Sequence, residues 1–428
     1  MRGDGSLSVG CRSWTAWVPA ALLVIAGCAA APPAVQTSTA VAVVPDLLPR
    51  VFVLRAEELA QARTRIRAGD PLVLPAFEKL KEDAADAMRA PLVAVTHKST
   101  LFPPSGNTHD YFSLSPYWWP DSTKPDGLPY IRRDGQTNPE SKRDLDQPRV
   151  AALGWNLQTL ALAYYFTGDE AYARRAAEQL RTWFLDTATR MTPHLRFAQL
   201  VRGIDRERGS GIIDTRWFIE TVDAVGLIEG SPSWTADDTH ELRRWFRAYL
   251  NWLRTSPNGD HERRARNNHG SWFAAQTASY ALFVGDTAVA REIVADAKAR
   301  IGWQFTPDGQ QPIELERTRS MHYSGFNIEA LSRVAEMGRQ LGIDLWSYEA
   351  PEGGSLRKGI DHLARYLTDP SKWPGQQIDA VSLDGMIIHV RRARTVFGDA
   401  SYPRVLQELP ADDVRRDRSA LLYPDPRP

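Results

Sequence analysis

From about residue 54 onward the apolar residues of this chain recur mostly three and four positions apart, with few alternating runs. That spacing gathers them on one face of a helix of about 3.6 residues per turn, whereas a half-buried strand needs a period of two. The pattern predicts an all-α chain, with helices over 54–68, 72–89, 148–167, 169–187, 214–228, 235–253, 267–283, 287–303, 324–341 and 355–368. Most are joined by short breaks such as Thr167-Gly168-Asp169 and Val284-Gly285-Asp286, where Gly can take a left-handed cap and Asp can cap the next helix. These are signatures of antiparallel helix hairpins. Two hairpins share a spacing: Trp155 lies 13 residues before Gly168, and Trp272 lies 13 residues before Gly285. A weak repeat of helix pairs closes naturally as a toroid or superhelical ring whose inner helices line one cleft. A plain α-solenoid scaffold is the alternative, and chemistry in the loops of one face separates the two.

The N-terminus has a different character. Arg2 and Arg12 precede the apolar run Ala16 to Ile25, too short to span a bilayer as a helix, which reads as a signal segment. It ends in Ile25-Ala26-Gly27-Cys28, which resembles the bacterial lipobox, where small residues before a cysteine let a peptidase cut and the thiol carries lipid. Residues 1–27 are expected to be a lipoprotein signal peptide with Cys28 as the lipidation site; an ordinary secretory signal with a chance cysteine is the alternative. Residues 28–50 are expected to form a flexible tether, since 29–47 are small, Pro-containing and uncharged until Asp46. Ala29 rather than Asp after the cysteine implies, by resemblance, sorting to an outer membrane. The expected location is the periplasm, with membrane contact only through the lipid, and 51–428 as a single domain. With 52 basic against 52 acidic side chains the chain lacks the surplus of a general nucleic-acid binder. Its two cysteines, Cys11 within the signal and Cys28, leave no disulfide, Cys-rich zinc site or catalytic thiol.

The longest irregular stretch runs from about Thr100 to Gln147, and a loop of that length in a compact domain is usually functional. It carries His109, Tyr117, Trp118, Trp119 and Arg132 among several Asp and Asn residues. Aromatics interleaved with Arg, Asp and Asn suit a sugar-binding wall, because pyranose rings offer apolar C–H faces to indoles and hydroxyls or carboxylates to polar groups. Trp118 and Trp119 could equally plug the bottom of the ring, and His109, like His194, could be structural.

Two further segments carry polar clusters at helix starts. In Arg266-Asn267-Asn268-His269-Gly270, Asn267 reads as an N-cap, while His269 in the first turn meets a helix dipole that favours neutral imidazole, a proton acceptor. In Glu314-Leu315-Glu316-Arg317-Thr318-Arg319-Ser320-Met321-His322-Tyr323, an Arg beside the Tyr would stabilise phenolate and let Tyr323 act as base and then acid. The plainer alternative packs Tyr323 in the core and pairs Arg317 with Glu314 or Glu316. The basic run Arg263, Arg264 and Arg266 could attract a polyanion, although a solvated helix end is commoner.

Together the stretches YFSLSPYWWPDSTKPDGLPYIRRDGQTNPE, GIIDTRWFIETVDAVGLIEGS, NNHGSWFAAQ and ELERTRSMHYSGFNIEAL resemble the alginate lyase superfamily, with a family-five-like catalytic domain, over roughly residues 90 to 370. The resemblance implies an incomplete (α/α) toroid that cleaves a uronic-acid polymer by β-elimination. It implies that Asn268 and His269 match the family's Asn-His pair, Tyr323 its catalytic tyrosine and Arg317 the arginine upstream. Removing the C5 hydrogen of a uronate builds a dianionic aci-carboxylate, so donors must offset the developing charge. Asn268 and Arg317, assisted by His269, would do this, and Tyr323 would donate a proton to O4, leaving a 4,5-unsaturated end. In mannuronate or glucuronate the C5 hydrogen and O4 lie on one side, so one tyrosine can serve as base and acid; in guluronate they lie on opposite sides and His269 is better placed as base. His109, Tyr117, Trp118, Trp119, Arg132, Arg319 and His322 are the candidate substrate contacts.

The chain departs from the family-five pattern. The arginine there lies one residue further from the tyrosine, whereas Arg317 and Arg319 stand six and four before Tyr323, so Arg319 competes for the neutralising role. The YWWPD and DTR stretches resemble the broad branch of the superfamily more than its alginate-secretion enzyme, which keeps glucuronan beside polymannuronate as substrate. About sixty residues follow 368, too few for the β-sandwich of two-domain relatives. No HExxH, EF-hand or Cys-based spacing appears, and neutralisation by Asn and Arg makes a cation or cofactor unnecessary. The expected partner is an anionic polysaccharide bound by a monomer. Two rivals remain: a hydrolase on the same toroid, drawing a carboxylate pair from Asp110, Asp121, Asp214 and Glu314, and a lipoprotein that binds glycans without turnover.

Overall fold

The computed structural model describes residues 48–425 apart from Asp205 and Asp384. The signal peptide, Cys28 and nearly all of the tether lie outside the described residues. The body opens with α1 (Ala56–Arg67) and α2 (Leu74–Arg89) and continues through α3 (Asp146–Thr167), α4 (Glu170–Leu180), α5 (Phe218–Ile228), α6 (Ala236–Thr255), α7 (Pro257–Arg263) and α8 (Asn268–Val284). It then runs through α9 (Thr287–Gln304), α10 (Pro312–Leu315), α11 (Ser320–Leu341) and α12 (Leu356–Leu367). Four short helices end it: α13 (Ile387–Phe397), α14 (Ser401–Glu408), α15 (Ala411–Arg416) and α16 (Ser419–Leu422).

α11 begins four residues earlier than its sequence pattern, so that His322 and Tyr323 sit in its first turn. The segment expected as helix from 214 opens instead as a 3₁₀ turn, Gly209–Trp217, before α5, and α4 relaxes into a π-helical turn over Arg181–Leu185. The hairpin caps follow the sequence. Gly168 and Gly285 are left-handed, and Asp169 and Asp286 accept the N–H groups of Ala171 and Val289.

Burial divides the helices into two layers. α5 is buried along its whole length, and α8 is buried except near its ends, as expected for helices apolar on every side. α4, α6 and α12 each bury one face. The inner helices α3, α5, α8, α11 and α13 pack in that order, with α4, α9, α12 and α14 against their hairpin partners and α6 against α8. α16 packs on α13, α1 and α2, and α2 packs on α3, so the C-terminus closes the (α/α) toroid. Where α4 and α6 meet the inner layer, Phe184 stands 4.8 Å from Trp245, and Phe218 5.8 Å from Trp245, both edge to face.

Two attachments fix the segments that cross the ring. Asp223 on α5 accepts the N–H groups of Phe52, Val53 and Leu54 at 2.7, 3.1 and 2.8 Å, and burial pushes its carboxyl up to about 6. The long loop carries β1 (Phe112–Leu114), β2 (Trp118–Trp119) and β3 (Ile131–Arg132). β1 runs parallel to β4 (Phe197–Leu200), and antiparallel β2 and β3 set Trp118 opposite Arg132. Buried Asp146, at the start of α3, ties the loop's base by accepting from Lys98 at 2.7 Å and from the Phe112 N–H at 2.9 Å. Among the described residues no helix is long and apolar enough to cross a membrane.

Candidate active site

The N-terminal ends of α8 and α11, the β1–β2 connection and the 3₁₀ turn before α5 converge on a cleft of 640 Å³. Asn268, His269, Arg317, His322, Tyr323, Tyr117, Trp118 and Arg132 all line it. Two helix starts thus deliver the polar clusters of distant segments to one place. Asn267 is the N-cap of α8, its side chain accepting the His269 N–H at 3.2 Å, and this turns Asn268 and His269 inward.

Tyr323 donates its hydroxyl to the Tyr117 oxygen at 2.7 Å, and the Arg317 guanidinium lies over its ring at 3.6 Å. Burial, followed by the Tyr117 phenol, holds the Tyr323 hydroxyl well above its ordinary 10.0, with Arg317 opposing. The arginine does stack on the tyrosine as the sequence suggests, but it does not bring the phenol down, because burial outweighs it.

Arg317 pairs with neither Glu314 nor Glu316. Its Nε and Nη2 fork onto Asp134 in the long loop, at 3.1 and 2.7 Å to Oδ1, and the Thr318 N–H joins at 3.0 Å. Burial opposes ionisation of Asp134, but Arg317 and Thr318 outweigh it and draw the carboxyl down to about 2.

His269 receives a partner that the sequence reading missed. Its Nδ1 lies 2.6 Å from Oε1 of Glu262 on α7, a carboxylate only 1% exposed. Burial disfavours the charged imidazole, but Glu262 and then Glu314 overcome it, so the pKa lies above 6.5. The helix dipole is the weaker influence, and the expectation of a neutral ring is corrected accordingly. A carboxylate on Nδ1 also fixes the ring orientation and leaves Nε2 as the free edge. Asn268, fully buried, gives its backbone N–H and its Nδ2 to Glu314, at 2.6 Å and at 3.0 and 2.8 Å.

His322 is drawn down to about 4 by burial in the cleft wall and by Arg319, Arg216 and Arg317, and it stacks on Phe326. Trp118 presents itself to the cleft with Arg208 against its ring at 5.3 Å, whereas Trp119 bonds the Gln136 carbonyl and lies outside the lining. One tryptophan faces the cleft and the other holds the loop. Arg319 also lies outside the lining, its Nε 2.9 Å from Asp379. His109 bonds the Arg190 carbonyl beside a separate groove, and His194 sits against Asp110 at 3.3 Å. Arg263 and Arg264 pair with Asp260 on a solvated helix end.

Besides Arg333, which pairs with Glu220 and Glu329, three cations that the sequence reading did not single out also line the cleft: Lys142, Arg208 and Arg216. Among the described residues none has an ion-pair partner; Lys142 reaches Gln147, Arg208 reaches Ser115, and Arg216 reaches the Ile213 carbonyl. Burial lowers the pKa of all three, and an anion docking in the cleft would restore favour to their charged forms. The carboxylates weighed for hydrolysis are otherwise engaged. Asp110 and Asp121 lie outside the lining, Asp214 accepts from Gln199, Ser113 and Tyr111, and Glu314 holds Asn268.

The family model described as alginate lyase matches residues 94–373. No curated protein matches the chain. Among solved structures, an alginate lyase from Bacteroides ovatus has a TM-score of 0.82 at 36% identity, covering 88% of this chain and 99% of that one. Alginate lyase A1-III from Sphingomonas species A1 has a TM-score of 0.52 at 16% identity, covering 83% and 97%. A tyrosine-to-phenylalanine variant of A1-III complexed with a tetrasaccharide has 0.57 at 16%, covering 89% and 98%. At such identity the Sphingomonas structures support the fold alone.

Proposed function

This chain belongs to the alginate lyase family and is a polysaccharide lyase, and from that premise we propose that it depolymerises alginate by β-elimination, preferring polymannuronate. The observation that carries this reading is the Tyr323 hydroxyl bonded to Tyr117 under the Arg317 guanidinium, in one cleft with Asn268 and His269. Lys142, Arg208 and Arg216, without ion-pair partners among the described residues, support a polyanion in that cleft, and Trp118 supplies an apolar face for a sugar ring.

A uronate carboxylate beside Arg317, His269 and Asn268 meets donors that strengthen as C5 loses its proton and charge moves onto the carboxylate oxygens. Glu262 and Glu314 bias His269 toward the protonated form, which suits a donor to that carboxylate better than a base. The base is then Tyr323 as phenolate. Its high pKa makes it strong once ionised, and the same hydroxyl, now protonated, gives its proton to the departing O4. One group serving both steps requires the C5 hydrogen and O4 on the same side, which selects mannuronate or glucuronate over guluronate. A periplasmic enzyme lipid-anchored at Cys28 completes the proposal.

The test is ultraviolet absorbance of the conjugated enoate product on polymannuronate, polyguluronate, glucuronan and pectate, with Tyr323→Phe as control. The expected result is a rise on polymannuronate that the variant reduces by about 10²- to 10⁴-fold. A faster rise on polyguluronate would overturn the assignment of Tyr323 as base.

A further inference from the structure

Asn268 has an unbalanced hydrogen-bond account. Its backbone N–H and both bonds from Nδ2 go to Glu314, while its Oδ1, buried, has no partner among the described residues. An ionised carboxylate can only accept, so it holds the NH₂ side of the amide and leaves the carbonyl oxygen as the remaining polar atom. A uronate carboxylate is also acceptor-only. The two Glu314 oxygens lie in nearly one direction from Nδ2 and so occupy one of its two N–H groups, leaving Asn268 a single N–H beside an unmet carbonyl oxygen, although the charge developing in elimination calls for donors.

A protonated Glu314 reverses the arrangement. One oxygen still accepts the Asn268 N–H, the other donates its O–H to Oδ1, and the amide turns over to free Nδ2. The orphaned oxygen is then met, and the freed Nδ2 finds its acceptor in the substrate carboxylate. We infer that Glu314 is a positioning residue acting through Asn268: a proton taken up from solvent when a uronate binds turns the amide so that its orphaned carbonyl accepts from Glu314 and its whole NH₂ is free to donate to the substrate carboxylate. The inference rests on the uronate-lyase reading of the cleft.

The charged groups facing Glu314 are consistent with this exchange. Arg317, one turn onward, carries Asp134 as its counter-ion, and His269 on α8 is backed by Glu262 on α7. Both cations favour an ionised Glu314, yet burial dominates and its pKa is already raised in the free enzyme. A second carboxylate entering the cleft pushes it further in the same direction.

The experiment uses Tyr323→Phe protein, so that a mannuronate oligosaccharide binds without turnover. Calorimetric titration at alkaline pH in buffers of different ionisation enthalpy counts the protons taken up. His269 contributes its own proton linkage throughout, so the difference between proteins is the readout. Adding Glu314→Gln, whose amide can accept the Asn268 N–H and donate to Oδ1, is expected to lower the uptake by about one proton per site. In the active enzyme the same substitution is expected to flatten the rise of KM with pH by up to about tenfold per unit. Should the Gln variant not fold, Asn268→Ala on the Tyr323→Phe background is expected to lose the same proton. Unchanged uptake in whichever variant folds overturns the inference. Failure of the oligosaccharide to bind, together with absence of elimination by the active enzyme on every uronate polymer, would instead reject the underlying function.

Discussion

His269 and Glu262 show how one contact changes what a residue can do. Read from its helix alone, His269 is a neutral imidazole; with Glu262 at 2.6 Å it leans toward imidazolium. Glu262→Gln is expected to move the His269 titration downward in an NMR pH series. The sign of the stability effect follows: a folded pKa above 6.5 contributes stability that is full below 6.5 and is lost as pH rises through the folded value. The penalty of Glu262→Gln in urea unfolding should therefore be larger at pH 5 than at pH 9, and an equal penalty would mean that the charge pair contributes nothing. Tyr323 gives a second pH prediction. With a phenol held above 10.0 as base, kcat/KM on polymannuronate should climb steadily from neutral into alkaline pH. A plateau just above neutrality would assign the base to His269. Asp134 acts one step removed, by aiming Arg317. Asp134→Ala is expected to cut kcat by about 10- to 100-fold, as loss of electrostatic preorganisation does; if only KM changes, Arg317 keeps its aim without Asp134.

At the scale of elements, the long helices and their Gly-Asp breaks were legible because periodicity and caps are local properties. α7 and α10 were not, being too short to show a period, although Ser256-Pro257 and Gln311-Pro312 place proline at the first helical position of each. That omission mattered, because α7 brings Glu262 to His269 and α10 brings Glu314 to Asn268. The four matched catalytic candidates could be named from their motifs, but Asp134 joins Arg317 across 183 residues, and no local pattern predicts such a partner. Arg208 and Arg216, without ion-pair partners among the described residues, were hidden for the opposite reason: which arginines lack a counter-ion is visible only once the fold is closed. Close approach of elements is equally invisible in sequence. A Cβ on Gly154 in α3 would lie 2.6 Å from the Trp217 Cβ and 2.8 Å from the Trp217 carbonyl oxygen. Gly154→Ala, favourable by helix propensity, is expected to destabilise by about 1–3 kcal/mol through overpacking. Because Trp217 lines the cleft, KM should rise as well. A stabilised variant would show that α3 can move away from the turn.

For the whole molecule the question is how a ring of hairpins stays closed, since each hairpin buries its apolar face only against its neighbours. The seam falls where α16 joins α13 to α1 and α2, and Tyr423 stands at its centre, 1% exposed. Its hydroxyl accepts from Arg392 Nε at 2.9 Å and its carbonyl from Arg394 Nη2 at 2.9 Å. Arg392 continues to Glu329 at 2.8 Å, and Glu329, whose carboxyl Arg392 and Arg333 hold far below its ordinary range despite burial, lines the cleft. The seam and the cleft floor thus share one chain of charge. Tyr423→Phe keeps the ring in place and removes only the hydroxyl, which should cost about 1.5–3 kcal/mol, as for a hydrogen bond to a charged group. Tyr423→Ala also leaves a cavity and should cost about 3–5 kcal/mol. If the seam closes the toroid as a unit, both variants should unfold in one transition at lower denaturant, and KM should rise while kcat at low temperature stays close to the parent value. Should Tyr423→Ala instead split unfolding into two transitions, the C-terminal helices would be an appendage that frays alone, and closure would rest with α2 and α3.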